Sequence, residues 1–331
     1  MSGKTRRELI VETGKMLLET GLVARTWGNV SARVDGDNFL ITPSGLDYMN
    51  TTEDDIALVN ISTGEWAGPR KPSGERGVHA AAYEVFEDVK FVIHTHQTYA
   101  TAIGLAGYEE LDITDDELMK LGGIAVSEYG MTGTKKLIEA VTDAMQAGAE
   151  TVFMPHHGVL ICGRDRDETM MRAMLLEEIC QRNCLGQKAA EPTETMVKEA
   201  ADLLEQIQII VGNVELLQNA ETMKFVNMNT PLVAQIEDMA QMVGRSAPIV
   251  LNVLKIAPQL KKHGAVMVPG IGIMVHADTE DDTEALKLLM DKAVKVKLHT
   301  MSTGKKAELG LADIALEHMI YTRKYSKQKN G

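Results

Sequence analysis

The chain has 331 residues, 44% hydrophobic and 24% charged, with 34 Lys and Arg against 47 Asp and Glu for a formal net charge of −13. These are globular proportions and exclude a disordered, collagen-like or disulfide-stapled chain, while the acidic balance argues against general binding to nucleic acid or an anionic membrane. At roughly 150 residues per domain the length predicts about two domains.

Residues 5–20 place Leu9, Ile10, Thr13, Met16 and Leu17 at helical spacing and end at Gly21, which predicts an amphipathic helix. Charge interrupts this stretch, so it is no secretory leader, and no apolar run reaches the roughly 18 residues of a membrane span. A soluble, cytoplasmic protein is the expectation. Four short strands follow, in NVSARV, NFLITP, IALVNI and around Glu65–Trp66, separated by Gly-Asp and Pro-Ser-Gly turns. The pattern then gives a helix over His79–Phe86, a strand over Lys90–His96 and a helix over Thr98–Ala106. Next come a strand over Gly123–Ser127, a helix over Thr134–Ala147, strands with a turn within Thr151–Cys162, and a helix over Asp167–Gly186. Hairpin-connected strands mixed with helices point to an α/β chain with an antiparallel sheet covered by helices, rather than a doubly wound nucleotide fold. With 20 Met against 5 Phe, 2 Trp and 7 Tyr, the core is expected to be aliphatic and Met-rich. Cys162, Cys180 and Cys184 form no CxxC pair and read as reduced thiols.

A polar seam at Lys188–Thr195 marks the boundary between residues 1–190 and 191–331. Beyond it the spacing predicts a helix over 196–220 and a break at Asn227–Pro231. The sequence also repeats at an offset of 114 residues: VFMPHHGVLICG at 152–163 aligns with VMVPGIGIMVHA at 266–277. Pro155 meets Pro269 and Gly158 meets Gly272. The second region therefore reads as a degenerate partial repeat, a smaller C-terminal α/β region.

His94 and His96 lie two apart on a strand and so share one face, where both imidazoles can reach one ion. His157, at the turn closing a second apolar strand, is a candidate third nitrogen ligand, and three histidines leave an open position on a catalytic Zn²⁺. His156 is expected to point away. Glu75 precedes a helix, where it can be a general base, a ligand or a helix-terminus charge. The turns TWGNVS, TPSG and PSG offer N–H groups and hydroxyls to an oxyanion.

Taken in order, TWGNVSAR at 26–33, FLITPSGLDY at 39–48, PSGERGVHAAAY at 72–83, VIHTHQTYATA at 92–102, EYGMTGT at 128–134 and HHGVLICG at 156–163 resemble the class II aldolase/adducin family over about residues 5–190. The resemblance implies a three-layer α/β/α sandwich around a mostly antiparallel sheet, and a homo-oligomer with active sites at subunit interfaces. It implies Zn²⁺ (or Mn²⁺ or Co²⁺) on His94, His96 and His157, with Glu75 as the acid/base carboxylate. Tyr129 matches a proton-donating tyrosine supplied by a neighbouring subunit, and Gly28, Asn29, Ser44, Gly45, Ser73 and Gly74 match phosphate-site positions. Gly74 stands where a second phosphate-binding Ser is usual, and Arg76-Gly77 replaces a bulkier pair. The implied activity is aldol cleavage of a ketose phosphate through a metal-bound enediolate, for which Glu75 would need a pKa raised by burial. Epimerisation, dehydration or decarboxylation on the same metal site, and a non-catalytic adducin-like interaction module, are the competing readings. In the second region Ile271 replaces His157 and no His-x-His precedes it, so no zinc of this kind is expected there.

Overall fold

A computed structural model describes residues 4–107, 111–184 and 189–328, with side chains described as far as residue 323. The chain divides into two compact units, Met1–Asn183 and Cys184–Gly331. The expected helix end at Gly186 and the seam's first residue, Lys188, lie outside the described residues.

In the first unit α1 (Arg6–Glu19) starts at Thr5, whose hydroxyl accepts from the Glu8 N–H while the Glu8 carboxylate accepts from the Thr5 N–H. Then come β1 (Asn29–Arg33), β2 (Asn38–Ile41), β3 (Ala57–Asn60), β4 (Trp66–Ala67), α2 (Arg76–Val85), β5 (Phe91–Thr95) and α3 (Thr98–Ala106). The unit closes with α4 (Asp115–Lys120), β6 (Ile124–Val126), α5 (Lys135–Gln146), β7 (Thr151–Met154), β8 (Gly158–Gly163) and α6 (Arg166–Asn183). The eight strands form one sheet in the order β4-β3-β2-β1-β5-β8-β7-β6. Within it only β6 and β7 run parallel.

Helices α2 and α5 pack together on one face, and α1, α3 and α6 on the other, so the expected mostly antiparallel sheet lies between helical layers. Phe39, Val59, Val92, Val152, Met154 and Leu160 meet Val78, Ala82, Leu137, Val141 and Met145 in an aliphatic and Met-rich core. Strand β5 lies between β1 and β8 and is buried along its whole length. A strand covered on both faces reads as a near-continuous apolar run, as Phe91-Val92-Ile93 does, and the imidazole that follows is carried into the interior with it. Helix α4 was not expected from spacing. Thr114 and Glu117 close a capping box around it, but six residues are too short to show a periodicity.

The second unit runs α7 (Glu194–Val211), β9 (Val214–Leu217), α8 (Ala220–Val226), β10 (Leu232–Val233), α9 (Glu237–Met242), β11 (Ser246–Ala247) and α10 (Val253–His263). It ends with β12 (Ala265–Val268), β13 (Gly272–His276), α11 (Glu280–Ser302) and α12 (Leu311–Gln328). The helix expected over 196–220 is therefore wrong in its last third. Gly212 takes φ 92 and stops α7, and Val214–Leu217 pair with β13 instead. Strand pairing with a segment some sixty residues downstream is invisible to local periodicity.

The two units share an internal order that reaches further than the aligned sequences. Hairpin β7–β8 and helix α6 match β12–β13 and α11, and the left-handed turn residue is His156 (φ 68) in one and Gly270 (φ 79) in the other. Val159 of β8 lies opposite Thr95 of β5, as Ile273 of β13 lies opposite Leu217 of β9. Helix α3 follows β5 as α8 follows β9. Glu177 of α6 accepts from the Tyr99 and Ala100 N–H groups at the start of α3, and Asp291 of α11 accepts from Asn219, the N-cap of α8. The second sheet holds only β12, β13 and β9, without described counterparts of β1 to β4.

Gly158 and Gly272 face the same obstacle in the two hairpins, since a Cβ would strike the Thr95 and Leu217 carbonyl oxygens respectively. Gly158→Ala is expected to destabilise the chain by about 1–3 kcal/mol through overpacking. Gly272→Ala should cost more, because its φ of 138 adds backbone strain. Unchanged denaturation midpoints in either variant would contradict this packing.

Candidate metal centre and active site

His94 sits on β5 and His96 one residue beyond its end, so the shared-face argument holds although only one of the two is in the strand. The β7–β8 turn is Pro155-His156-His157, and the left-handed conformation of His156 turns the chain so that His157 faces His94. The His94 Nε2 atom is 2.9 Å from His96 Nε2 and 3.0 Å from His157 Nε2. Glu75, at the N-terminus of α2, brings Oε1 to 3.0 Å from His157 Nε2 and Oε2 to 3.4 Å from His94 Nε2. One ligand atom from each of these four residues lies within 4.8 Å of all the others. All three histidines are buried, and Trp27 stacks over His96 at 6.1 Å between ring centroids. Gly28 permits the approach of this loop: it takes φ 75, and a Cβ there would collide with the His94 carbonyl oxygen.

The donor set fits a divalent cation. His94 Nδ1 lies 3.0 Å from the Val159 carbonyl oxygen, which can only accept, so Nδ1 carries the proton and Nε2 presents a lone pair. His157 Nδ1 meets the Thr132 hydroxyl at 3.0 Å. Burial pushes His94 below the usual imidazole range, against the opposing pull of the Glu75 carboxylate. Imidazole lone pairs crowded around one point repel unless a proton or a cation lies among them. A set of three imidazoles and one carboxylate suits Zn²⁺ and accepts Mn²⁺ or Co²⁺ as well. For Glu75, burial acts to raise the carboxyl pKa, but the facing His94, His157 and His96 outweigh it and hold it well below the usual range. Glu75 is a carboxylate at neutral pH and can accept a proton.

The remaining candidates lie around this cluster. Loops 42–45 and 72–75 are zipped together: Ser44 N–H donates to the Lys71 carbonyl and Ser73 N–H to the Thr42 carbonyl. Ser73 Oγ accepts the Glu75 N–H at 3.2 Å, which helps fix the start of α2. These two backbone N–H groups are therefore engaged within the loops, and an oxyanion would look to the Ser44 hydroxyl and the exposed turns at Gly45 and Gly74. The side chain of Asn29 turns to the carboxylate, with Nδ2 2.8 Å from Glu75 Oε2. Tyr129 packs edge-on to His156 at 4.9 Å and lies beside the Lys136 ammonium, on the loop that also carries Thr132. One residue escaped the sequence reading. His79 is completely buried on α2, bonded to both Asn29 and Ser31, and its only signal was an imidazole one helical turn after Glu75.

A buried three-histidine, one-carboxylate centre at the end of the central strand of a helix-covered, mostly antiparallel sheet defines an α/β protein with a metal site. Residues 8–184 match the class II aldolase and adducin N-terminal domain model, and the chain belongs to that family. It is 31% identical over 212 residues to a 5-methylthioribulose-1-phosphate/5-deoxyribulose-1-phosphate aldolase of Rhodospirillum rubrum, covering 63% of this chain and 94% of that one. It is 29% identical to an L-fuculose phosphate aldolase of Methanococcus maripaludis, over 51% of this chain and 91% of the relative. A 3-oxo-tetronate 4-phosphate decarboxylase of Haemophilus influenzae is 28% identical, with coverages of 60% and 97%. Among solved structures, an L-fuculose 1-phosphate aldolase aligns with a TM-score of 0.51 and 30% identity, covering 56% of this chain and 87% of that one. No described helix is long and apolar enough to cross a membrane.

Burial lowers the pKa of His79 from 6.5 to about 4, against a smaller opposing pull from Glu75. A histidine whose folded pKa is depressed takes up its proton first in the unfolded chain, so stability falls as pH drops from 6.5 towards 4. The shift amounts to about 3 kcal/mol. Unfolding measured across this range should show a shallower acid loss in His79→Gln than in the wild type. Equal pH slopes would contradict a buried, neutral His79.

Proposed function

We propose that this chain is a divalent-metal-dependent aldehyde-lyase that cleaves a phosphorylated ketose, with residues 1–190 as the catalytic domain. The observation that carries this reading is the convergence of His94, His96, His157 and Glu75 within 4.8 Å. His94, His96, His157 and Glu75 would hold a divalent cation such as Zn²⁺, which would supply Lewis-acid stabilisation for negative charge on the oxygens of a bound sugar. Glu75, ionised and part-buried, exchanges the proton on the carbon next to that carbonyl. Tyr129 serves the aldehyde-side oxygen from a neighbouring subunit, which makes the active protein a homo-oligomer with shared sites. Gly28, Asn29, Ser44, Gly45, Ser73 and Gly74 shape the end of the site that takes the phosphate, with Ser73 and Gly74 closest in sequence to Glu75. A local arrangement is required, because a net charge of −13 repels an anion at long range.

Residues 191–331 are, on this reading, a partial copy without a metal. Leu216, Gln218 and Ile271 occupy the places of His94, His96 and His157, as the registers β9 to β13 and β5 to β8 align them. Leu216 and Ile271 carry no side-chain donor atom, and the Gln218 amide is a much weaker ligand for Zn²⁺ than an imidazole. The retained ligand set in the first unit argues against a purely adducin-like interaction module.

Decarboxylation of a phosphorylated 3-oxo acid is the second reading, favoured by the Haemophilus influenzae relative. It needs the same charge stabilisation on the same oxygens, so the ligands do not separate the two. A screen of ketose 1-phosphates for aldehyde release, and of 3-oxo acid phosphates for CO₂, distinguishes them. Aldehyde release that stops with a chelator and returns with Zn²⁺ is the expected outcome. CO₂ release alone, or cleavage indifferent to the chelator, would overturn the proposal.

A further inference from the structure

We propose that His79 is a positioning residue for Glu75, holding the Asn29 amide so that its N–H donates to the carboxylate, in a one-directional hydrogen-bond chain that starts at Tyr83. The inference rests on Glu75 as the proton-moving group. Each link follows from what the atoms can do. An ionised carboxylate only accepts, so the Asn29 atom 2.8 Å from Glu75 Oε2 is the amide nitrogen. The Asn29 carbonyl oxygen then faces His79 Nε2, which must carry the ring proton. A neutral imidazole has one N–H, so His79 Nδ1 accepts from the Ser31 hydroxyl at 2.7 Å. With its hydrogen committed to His79, the Ser31 oxygen accepts from the Tyr83 hydroxyl at 2.8 Å.

Every member of this chain is out of water: Asn29, Ser31, His79 and Tyr83 are 2%, 0%, 0% and 3% exposed. The Tyr83 ring is fixed by Phe39 at 5.2 Å and by the Arg33 guanidinium 5.0 Å from its centroid. The elements involved are β1, which carries Asn29 and Ser31, and α2, which carries His79 and Tyr83 one turn apart. Glu75 begins the same helix one turn earlier. Three residues of α2 at successive i, i+4 positions therefore lie along one line, and β1 supplies the two bridging side chains between them. Without the His79 proton the Asn29 carbonyl loses its donor, and the carboxylate alone is left to orient the amide. His79 touches none of the four clustered ligand atoms, so its effect on Glu75 passes through Asn29.

Two measurements on the full, zinc-loaded chain test this. In ¹⁵N-histidine NMR, the signal lost in His79→Gln should belong to an Nε2–H tautomer, and an Nδ1–H tautomer or an imidazolium would overturn the chain as drawn. The second follows hydrogen exchange at dihydroxyacetone phosphate in D₂O. His79→Phe should lower kcat at least tenfold with KM and zinc content unchanged, and His79→Gln, whose amide can donate to Asn29 and accept from Ser31, should recover most of it. Ser31→Ala removes the outer link with a smaller cut and should lower kcat less, which keeps the test available if His79→Phe does not fold. Wild-type kcat in His79→Phe and Ser31→Ala, or equal losses in the Phe and Gln variants accompanied by zinc loss, would overturn the positioning role. Should the wild type exchange no hydrogen at all, the reading of Glu75 fails, while the tautomer still decides the chain.

Discussion

Three imidazoles and one carboxylate are packed with a ligand atom of each within 4.8 Å of all the others, largely out of water. This is the constraint on which the rest of the first unit depends. Such a cluster is stable only if its backbone supports leave no alternative. β5 is therefore central and buried on both faces, the β7–β8 turn accepts a left-handed His156, and glycines at 28 and 158 let neighbouring chains approach the His94–Thr95 segment. The carboxylate is held from behind by Asn29, and Asn29 by His79. Helices α2 and α5 on one face and α1, α3 and α6 on the other keep this layer dry.

Much of this arrangement is legible in the residues themselves. Alternation and turn signals locate most elements of the first unit, and the His94–His96 pair is readable because strand periodicity puts both rings on one side. His157 is readable because a Pro-His-His-Gly turn closes an apolar strand. Four features were not legible. Helix α4 is too short for a period to register. The end of α7 and the strand β9 depend on pairing with β13, a long-range choice that the Val-Glu-Leu-Leu stretch at 214–217 does not announce. The direction of the Glu75 pKa depends on how many imidazoles face it, a quantity that exists only in three dimensions. His79 was missed for the same reason, since its partners lie some fifty residues away in sequence on β1.

On the proposed reading of the second unit as a partial copy, its architecture is what remains without the metal ligands. Its hairpin and long helix keep the order of the first unit, and an acidic residue of that helix meets the start of an earlier helix in both: Glu177 accepts from backbone N–H groups of α3, and Asp291 from the side chain of Asn219, the N-cap of α8. The positions that bear histidines in one unit bear Leu216, Gln218 and Ile271 in the other. Gln218 donates to the Ile271 carbonyl oxygen at 2.8 Å, so a neutral hydrogen bond joins two places that in the first unit face a shared ligand point. Backbone geometry and helix caps persist under packing selection alone, whereas a charged cluster has no reason to persist without its ion.

The central claim is that one divalent cation is held by the histidine and carboxylate cluster of the first unit and none by the second. Metal analysis of the purified 331-residue chain tests it most directly. The account predicts about one equivalent of metal per chain in the wild type and almost none in His94→Ala, with the variant still folded. Metal retained by folded His94→Ala, or two equivalents per wild-type chain, would contradict it.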